Sequence, residues 1–115
     1  MATLTENPRT GGFLLSEDNG TRSRETVTLA SGNGEIVAGT VLGVLDSGGE
    51  YAPYDDAATD GTETAAAVLW ATTDTTDAAI DAAVIARDAE VIESELTGID
   101  AAGVTDLASV GIIAR

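Results

Sequence analysis

Six carboxylates are the residues of this chain best placed to do chemistry. Asp55, Asp56 and Asp60 share one short stretch, and Glu90, Glu93 and Glu95 gather in another. Paired carboxylates can serve as general acid, general base or nucleophile, the pattern of glycoside hydrolysis. That reaction needs a cleft with sugar contacts, and the chain has only four aromatic residues: Phe13, Tyr51, Tyr54 and Trp70. With 20 Asp and Glu among 115 residues, close acidic pairs arise without catalytic purpose. The run 55–61 is acid-rich like a calcium loop, yet lacks its alternating ligand spacing and closing glutamate. Other reagents are missing. The chain has no cysteine, histidine or lysine, hence no thiolate, no imidazole base and no Schiff base. Gly32-Asn33-Gly34 and Gly48-Gly49 are turn glycines, since no phosphate-binding pattern follows a strand. The expectation is no catalytic residue, no metal site and no cofactor.

The elements that would position any site must come from one small domain, because 115 residues leave room for no more. Twenty alanines account for much of the 43% apolar fraction. Large side chains are therefore scarce, and a second chain is expected to complete the core. The net charge of −15 repels polyphosphate and anionic lipid, which argues against nucleic-acid and membrane partners. No apolar run is long enough to span a bilayer, and the start does not read as a secretory signal. The acidic, lysine-free composition suits a high-salt setting; a GC-rich genome would give the same.

Charge is unevenly distributed. Residues 1–30 hold four acids (Glu6, Glu17, Asp18, Glu25) and three arginines (Arg9, Arg22, Arg24), a net of −1. Residues 31–115 hold sixteen acids and two arginines (Arg87, Arg115), a net of −14. The first thirty residues thus read as an arm and 31–115 as a compact body. Within the arm, Pro8 and Gly11-Gly12 favour extended chain or loop, and Glu17-Asp18-Asn19-Gly20 is a turn signal. Phe13, Leu14 and Leu15 either fold back on the body or dock on a partner, and docking is favoured. Arg22, Arg24 and Glu25 are the polar candidates for the same contact, Arg24 through a bidentate grip on a carboxylate. Trp70 reads as a core or subunit-interface residue rather than a ligand stacker.

The body reads as many short strands. Residues 26–30 alternate, with Val27 and Leu29 on one face. Residues 36–45 are apolar on both faces, with Gly39 and Gly43 predicting a bend or a close backbone approach. Residues 51–54 are extended and at an edge, because Pro53 cannot donate to a ladder. Residues 65–72 form a further strand carrying Trp70, and 111–115 close the chain as a strand. In 77–96 the stripe Ile85, Ala89, Ile92, Leu96 favours helix over a kinked strand. Residues 101–109 predict one short helix capped by Asp100. A small β barrel or sandwich follows.

The order of motifs resembles the head decoration proteins of tailed bacteriophages, the lambda head decoration protein D family. The resemblance rests on Ala38–Gly43, Tyr54, Asp60-Gly61 leading into Ala67-Val68-Leu69, the run Val84–Val91, Leu107 and Gly111-Ile112-Ile113. Residues 12–17 and 23–25 look like the longer-armed branch, so the likeness covers 12–115. It implies a mainly β, β-clip-like incomplete barrel with one short helix and an extended N-terminal arm. It implies a homotrimer on the outside of the expanded capsid at three-fold and quasi-three-fold positions. There it would bind the major capsid protein, with the arm adding a strand, and stabilise the shell against packaged DNA. It also implies strand for Val84–Val91, against the propensity. The competing reading is a free-standing acidic β module that binds carbohydrate or cations.

Overall fold

The computed structural model describes residues 9–17 and 22–115; residues 1–8 of the expected arm, and the turn expected at 18–20, lie outside them. Ten strands and one α-helix follow in order: β1 (Leu14–Glu17), β2 (Arg24–Leu29), β3 (Glu35–Ile36), β4 (Val41–Val44), β5 (Tyr51–Pro53), β6 (Ala65–Leu69), β7 (Thr73–Asp74), β8 (Ile80–Ile85), β9 (Ala89–Val91), α1 (Ala101–Ser109) and β10 (Ile112–Ala114). The protein is mainly β with one helix, as the sequence predicts.

Five strands close into a barrel in the order β2-β5-β4-β6-β8. Its broadest seam is antiparallel β2–β8, in register from Arg24↔Ile85 to Leu29↔Ile80. The ring therefore closes where an incomplete barrel was expected, but closure is thin. β2 meets β5 in parallel at Leu29↔Tyr51 alone, reinforced by the Ala30 N–H donating to Tyr51 O at 2.8 Å. Pro53 lies beyond that junction and pairs with Leu42 of β4, so its missing N–H is not needed by β2. A separate sheet runs β1-β9-β10, and β3 pairs with β7.

Period-2 alternation explains why several strands read as apolar on both faces. Leu42, Leu69 and Val84 point into the barrel with Leu29, Ile36 and Ala67. Their neighbours Val41, Val68 and Ile85 point outward into a second core. That core is covered by Phe13, Ala89 and Val91 from the small sheet region, by Leu107 of α1 and by Ile112 of β10. Burying each large aliphatic side chain contributes on the order of 1.5–3 kcal/mol. Both glycine expectations in 36–45 have a physical cause. Gly39, with φ +86°, separates β3 from β4. A Cβ on Gly43 would lie 2.6 Å from Thr62 Cα, so the backbones approach too closely for any side chain.

The helical stripe in 77–96 is overturned. Ile85 and Ala89 lie on two strands, β8 and β9, and Leu96 follows a 3-10 turn at Glu93–Glu95. The chain turns between the strands at Asp88, whose φ is +49°. Cross-strand hydrogen bonding and burial on the second core outweigh the modest helix preference of alanine and glutamate.

Helix α1 starts as predicted. Asp100 Oδ1 accepts from Gly103 N–H at 2.7 Å and from the buried Tyr54 hydroxyl at 2.8 Å. Asp106 Oδ2 accepts from Ala65 N–H and ties the helix to β6. Burial, followed by the bond to Asp100 and the nearby carboxylates, holds the Tyr54 hydroxyl well above its ordinary ionisation range. The fold thus keeps the phenol neutral to higher pH than the unfolded chain does. In the unfolded chain it ionises near pH 10, whereas in the native chain it does not. Stability from this group is complete below about pH 10 and falls as pH rises beyond it. A Tyr54→Phe variant is expected to show a flatter alkaline decline in denaturant midpoint. Tyr51, whose hydroxyl burial also raises, contributes to the slope that remains. An unchanged decline would rule Tyr54 out as the source.

Candidate functional site

The N-terminal segment is seated on the indole of Trp70. Arg9 to Gly12 forms a tight turn, with Gly12 N–H donating to Arg9 O at 3.0 Å. Gly11 has φ +64° and donates its N–H to Trp70 O at 2.9 Å. A Cβ there would collide with Cη2, Cζ3 and Cζ2 of the indole, so only glycine lets the turn lie this close. Phe13 follows, 2% exposed, with its ring edge-on to Trp70 at 6.2 Å and 80°. β1 then pairs with β9, Leu14↔Val91 and Glu17↔Ala89, with a register shift between Leu14 and Ser16.

Arg24 completes the seat. Its guanidinium carbon lies 3.9 Å from the Trp70 ring centroid. Its Nε and Nη2 donate to Glu17 Oε2 and Oε1 at 3.0 and 2.7 Å. The hydrogen bonds to Glu17 raise the guanidinium further above its ordinary value. Arg24 therefore does grip a carboxylate in bidentate fashion, but the carboxylate is its own chain's.

The other arginines with assigned ion pairs stand at this same end. Arg22 pairs with Asp88 at 3.1 Å, Arg87 with Glu25 at 3.0 Å, and Arg115 with Glu90 at 2.9 Å. Arg87 also donates to Arg22 O, and the buried Ser23 hydroxyl donates to Asp88 O. These bonds stitch β1, the start of β2, the β8–β9 turn and β10 together. By contrast, residues 26–86 contain no arginine and carry Glu35, Asp46, Glu50, Asp55, Asp56, Asp60, Glu63, Asp74, Asp77 and Asp81. The charge asymmetry of the sequence thus becomes a spatial one. Four arginine–carboxylate pairs gather on and around the β1-β9-β10 sheet, beside exposed Glu93 and Glu95, while residues 26–86, which form most of the barrel, carry only acids. Exposed Leu15 and Ile113 lie on that sheet, with Val110 just before it.

The structure separates the expected arm residues. Phe13 is buried in the core, and Leu14 is half-buried against the same core. Leu15, 51% exposed, presents its side chain outward. Arg22, Arg24 and Glu25 each have a partner within the chain, and Trp70 packs against the second core. β1 pairs with β9 and β2 with β8, so residues 13–17 and 24–29 belong to the body. The Glu17–Arg24 grip went unread in the sequence. Its only signal in the sequence is an acid and a base seven residues apart, on either side of the expected turn.

The carboxylates converge on nothing. Asp60 Oδ1 accepts from the hydroxyl and N–H of Thr62, which hold its carboxyl below the usual range, and Asp55 Oδ1 accepts from Ala57 N–H. These bonds shape turns. Glu90 is engaged by Arg115, and Glu93 and Glu95 are exposed. Among the described residues no group of three acids is arranged to hold a metal ion, and no helix is long and apolar enough to cross a membrane.

A family model for the bacteriophage lambda head decoration protein D matches residues 3–112. The chain belongs to that family. No curated protein matches it. Membership in the decoration family makes this a structural protein of the phage virion, associated with the capsid. A structural family of this kind implies a non-enzyme, in keeping with carboxylates that serve turns and surface pairs.

Proposed function

We propose that the chain binds the outside of the expanded head as a homotrimer, at three-fold and quasi-three-fold positions. There it holds neighbouring copies of the major capsid protein together against the pressure of packaged DNA. The observation that carries the orientation is the segregation of charge. The β1-β9-β10 end, with its paired arginines and exposed Leu15, Val110 and Ile113, suits contact with protein. The arginine-free stretch 26–86 suits solvent and would be expelled from a crowded anionic interior. Residues 1–8 would serve as the docking arm, since Phe13 is buried and the two strands that follow it pair with β9 and β8. Many symmetry-related copies let a modest contact resist rupture of the whole shell.

The test adds purified protein to heads expanded without it and to unexpanded procapsids, followed by cryo-electron microscopy. Binding to expanded heads alone, with outward protrusions at the three-fold positions, is the expected result. Equal binding to procapsids, or density on the inner wall, would defeat the proposal. Removing residues 1–8 is expected to weaken binding by about tenfold or more while the thermal midpoint stays put. Removing residues 1–25 would be a poor test, since Phe13, Glu17 and Arg24 would go with it.

A further inference from the structure

We infer that Arg24 is a positioning residue for docking, which acts by fixing the root of the N-terminal segment and not by touching the shell; this rests on the capsid reading above. One face and the Nε–Nη2 edge of the guanidinium are already used within the chain. Its face covers the Trp70 ring, and its fork takes both oxygens of Glu17. The stack grips β1 at its two ends. Glu17, the last residue of the strand, is held by Arg24. Gly11, three residues before the strand begins, is held by the backbone and ring of the same tryptophan. Between these points β1 has a short, shifted pairing with β9 and an exposed Leu15. A strand so lightly paired frays unless its ends are fastened. Fastening them holds Gly11 and β1 in one arrangement, and so lowers the ordering cost of docking. Lysine would keep the charge but lose the planar fork and the stacking.

The experiment compares the full-length chain with Arg24→Lys, Glu17→Gln and the double variant. Amide exchange at Gly11 and Leu14, emission of the single tryptophan, thermal midpoint and affinity for expanded heads are all measured. In each variant Gly11 and Leu14 are expected to exchange about tenfold faster and Trp70 emission to shift red. Exchange in β4 and β6 should hold, and the thermal midpoint should stay within about 3 °C. Head affinity is expected to fall about tenfold in each single variant and no further in the double, because both residues act through one latch. Wild-type exchange and emission in Arg24→Lys would overturn the latch. Normal binding by Glu17→Gln, or penalties that multiply in the double variant, would mark Arg24 as a direct shell contact and overturn the positioning role. A wild-type chain that binds no expanded head would overturn the capsid reading and this role with it. That failure is told apart from failure of the latch, which is read on the free protein.

Discussion

Truncating Phe13 to alanine is expected to destabilise the folded chain by about 3–5 kcal/mol, the usual cost of deleting a buried ring. Phe13 is 2% exposed and belongs to the core shared by Val41, Val68, Ile85, Val91, Leu107 and Ile112. Its ring also supports Trp70 edge-on. For a chain of this length each kcal/mol moves the thermal midpoint by about 4 °C, so a drop of roughly 12–20 °C is expected at fixed protein concentration. Circular dichroism melting would measure it. A variant that melted like the parent yet failed to bind heads would return Phe13 to the role of partner contact. Leu15→Ala supplies the contrast. Its side chain is half in solvent, so its stability cost should be small and any effect should fall on binding.

Gly61→Ala is expected to cost roughly 3 kcal/mol or more, from two independent causes. Gly61 has φ +105°, a region side chains rarely enter. A Cβ there would also collide with Val44 O and lie 2.8 Å from Asp46 N. Those atoms cannot yield easily. Val44 ends β4, and Asp46 N–H donates to Asp60 O at 2.7 Å beside it. The loop must therefore move off the end of the barrel, and Gly43, pressed on Thr62 Cα, would be disturbed with it. Guanidinium unfolding of Gly61→Ala beside Gly48→Ala separates the causes. Gly48 also has positive φ, at +86°, but nothing within 4 Å of its missing Cβ, so only the backbone penalty of about 1 kcal/mol should remain. Equal losses in the two variants would show that the close approach at Gly61 contributes nothing.

Much of this fold can be read along the chain, where the causes are local. Asp100 caps α1 because a short acceptor side chain before an alanine-rich run satisfies a free N–H, whatever surrounds it. Val27 and Leu29 alternate because one face of their strand is buried. Gly39 and Gly43 announce a bend and a close approach through the side chains they lack. Residues 77–96 favour helix by propensity because Ile85, Ala89, Ile92 and Leu96 satisfy a helical period by coincidence. Only burial on both the barrel and the second core reveals two strands.

The site divides along the same line. Composition and order along the chain alone determined that histidine, cysteine and lysine chemistry is absent, that the charge is anionic and unevenly placed, and that the body is mainly β. Those properties survive any folding of the chain, because they belong to residue types and near neighbours. The tertiary structure alone decided that Phe13 is core, that β1 and β2 belong to the body, and that Arg24 serves Glu17 and Trp70. Each of these depends on contacts such as Arg24 with Trp70, forty-six positions apart, and no local pattern specifies which distant partner a side chain will meet once the barrel closes.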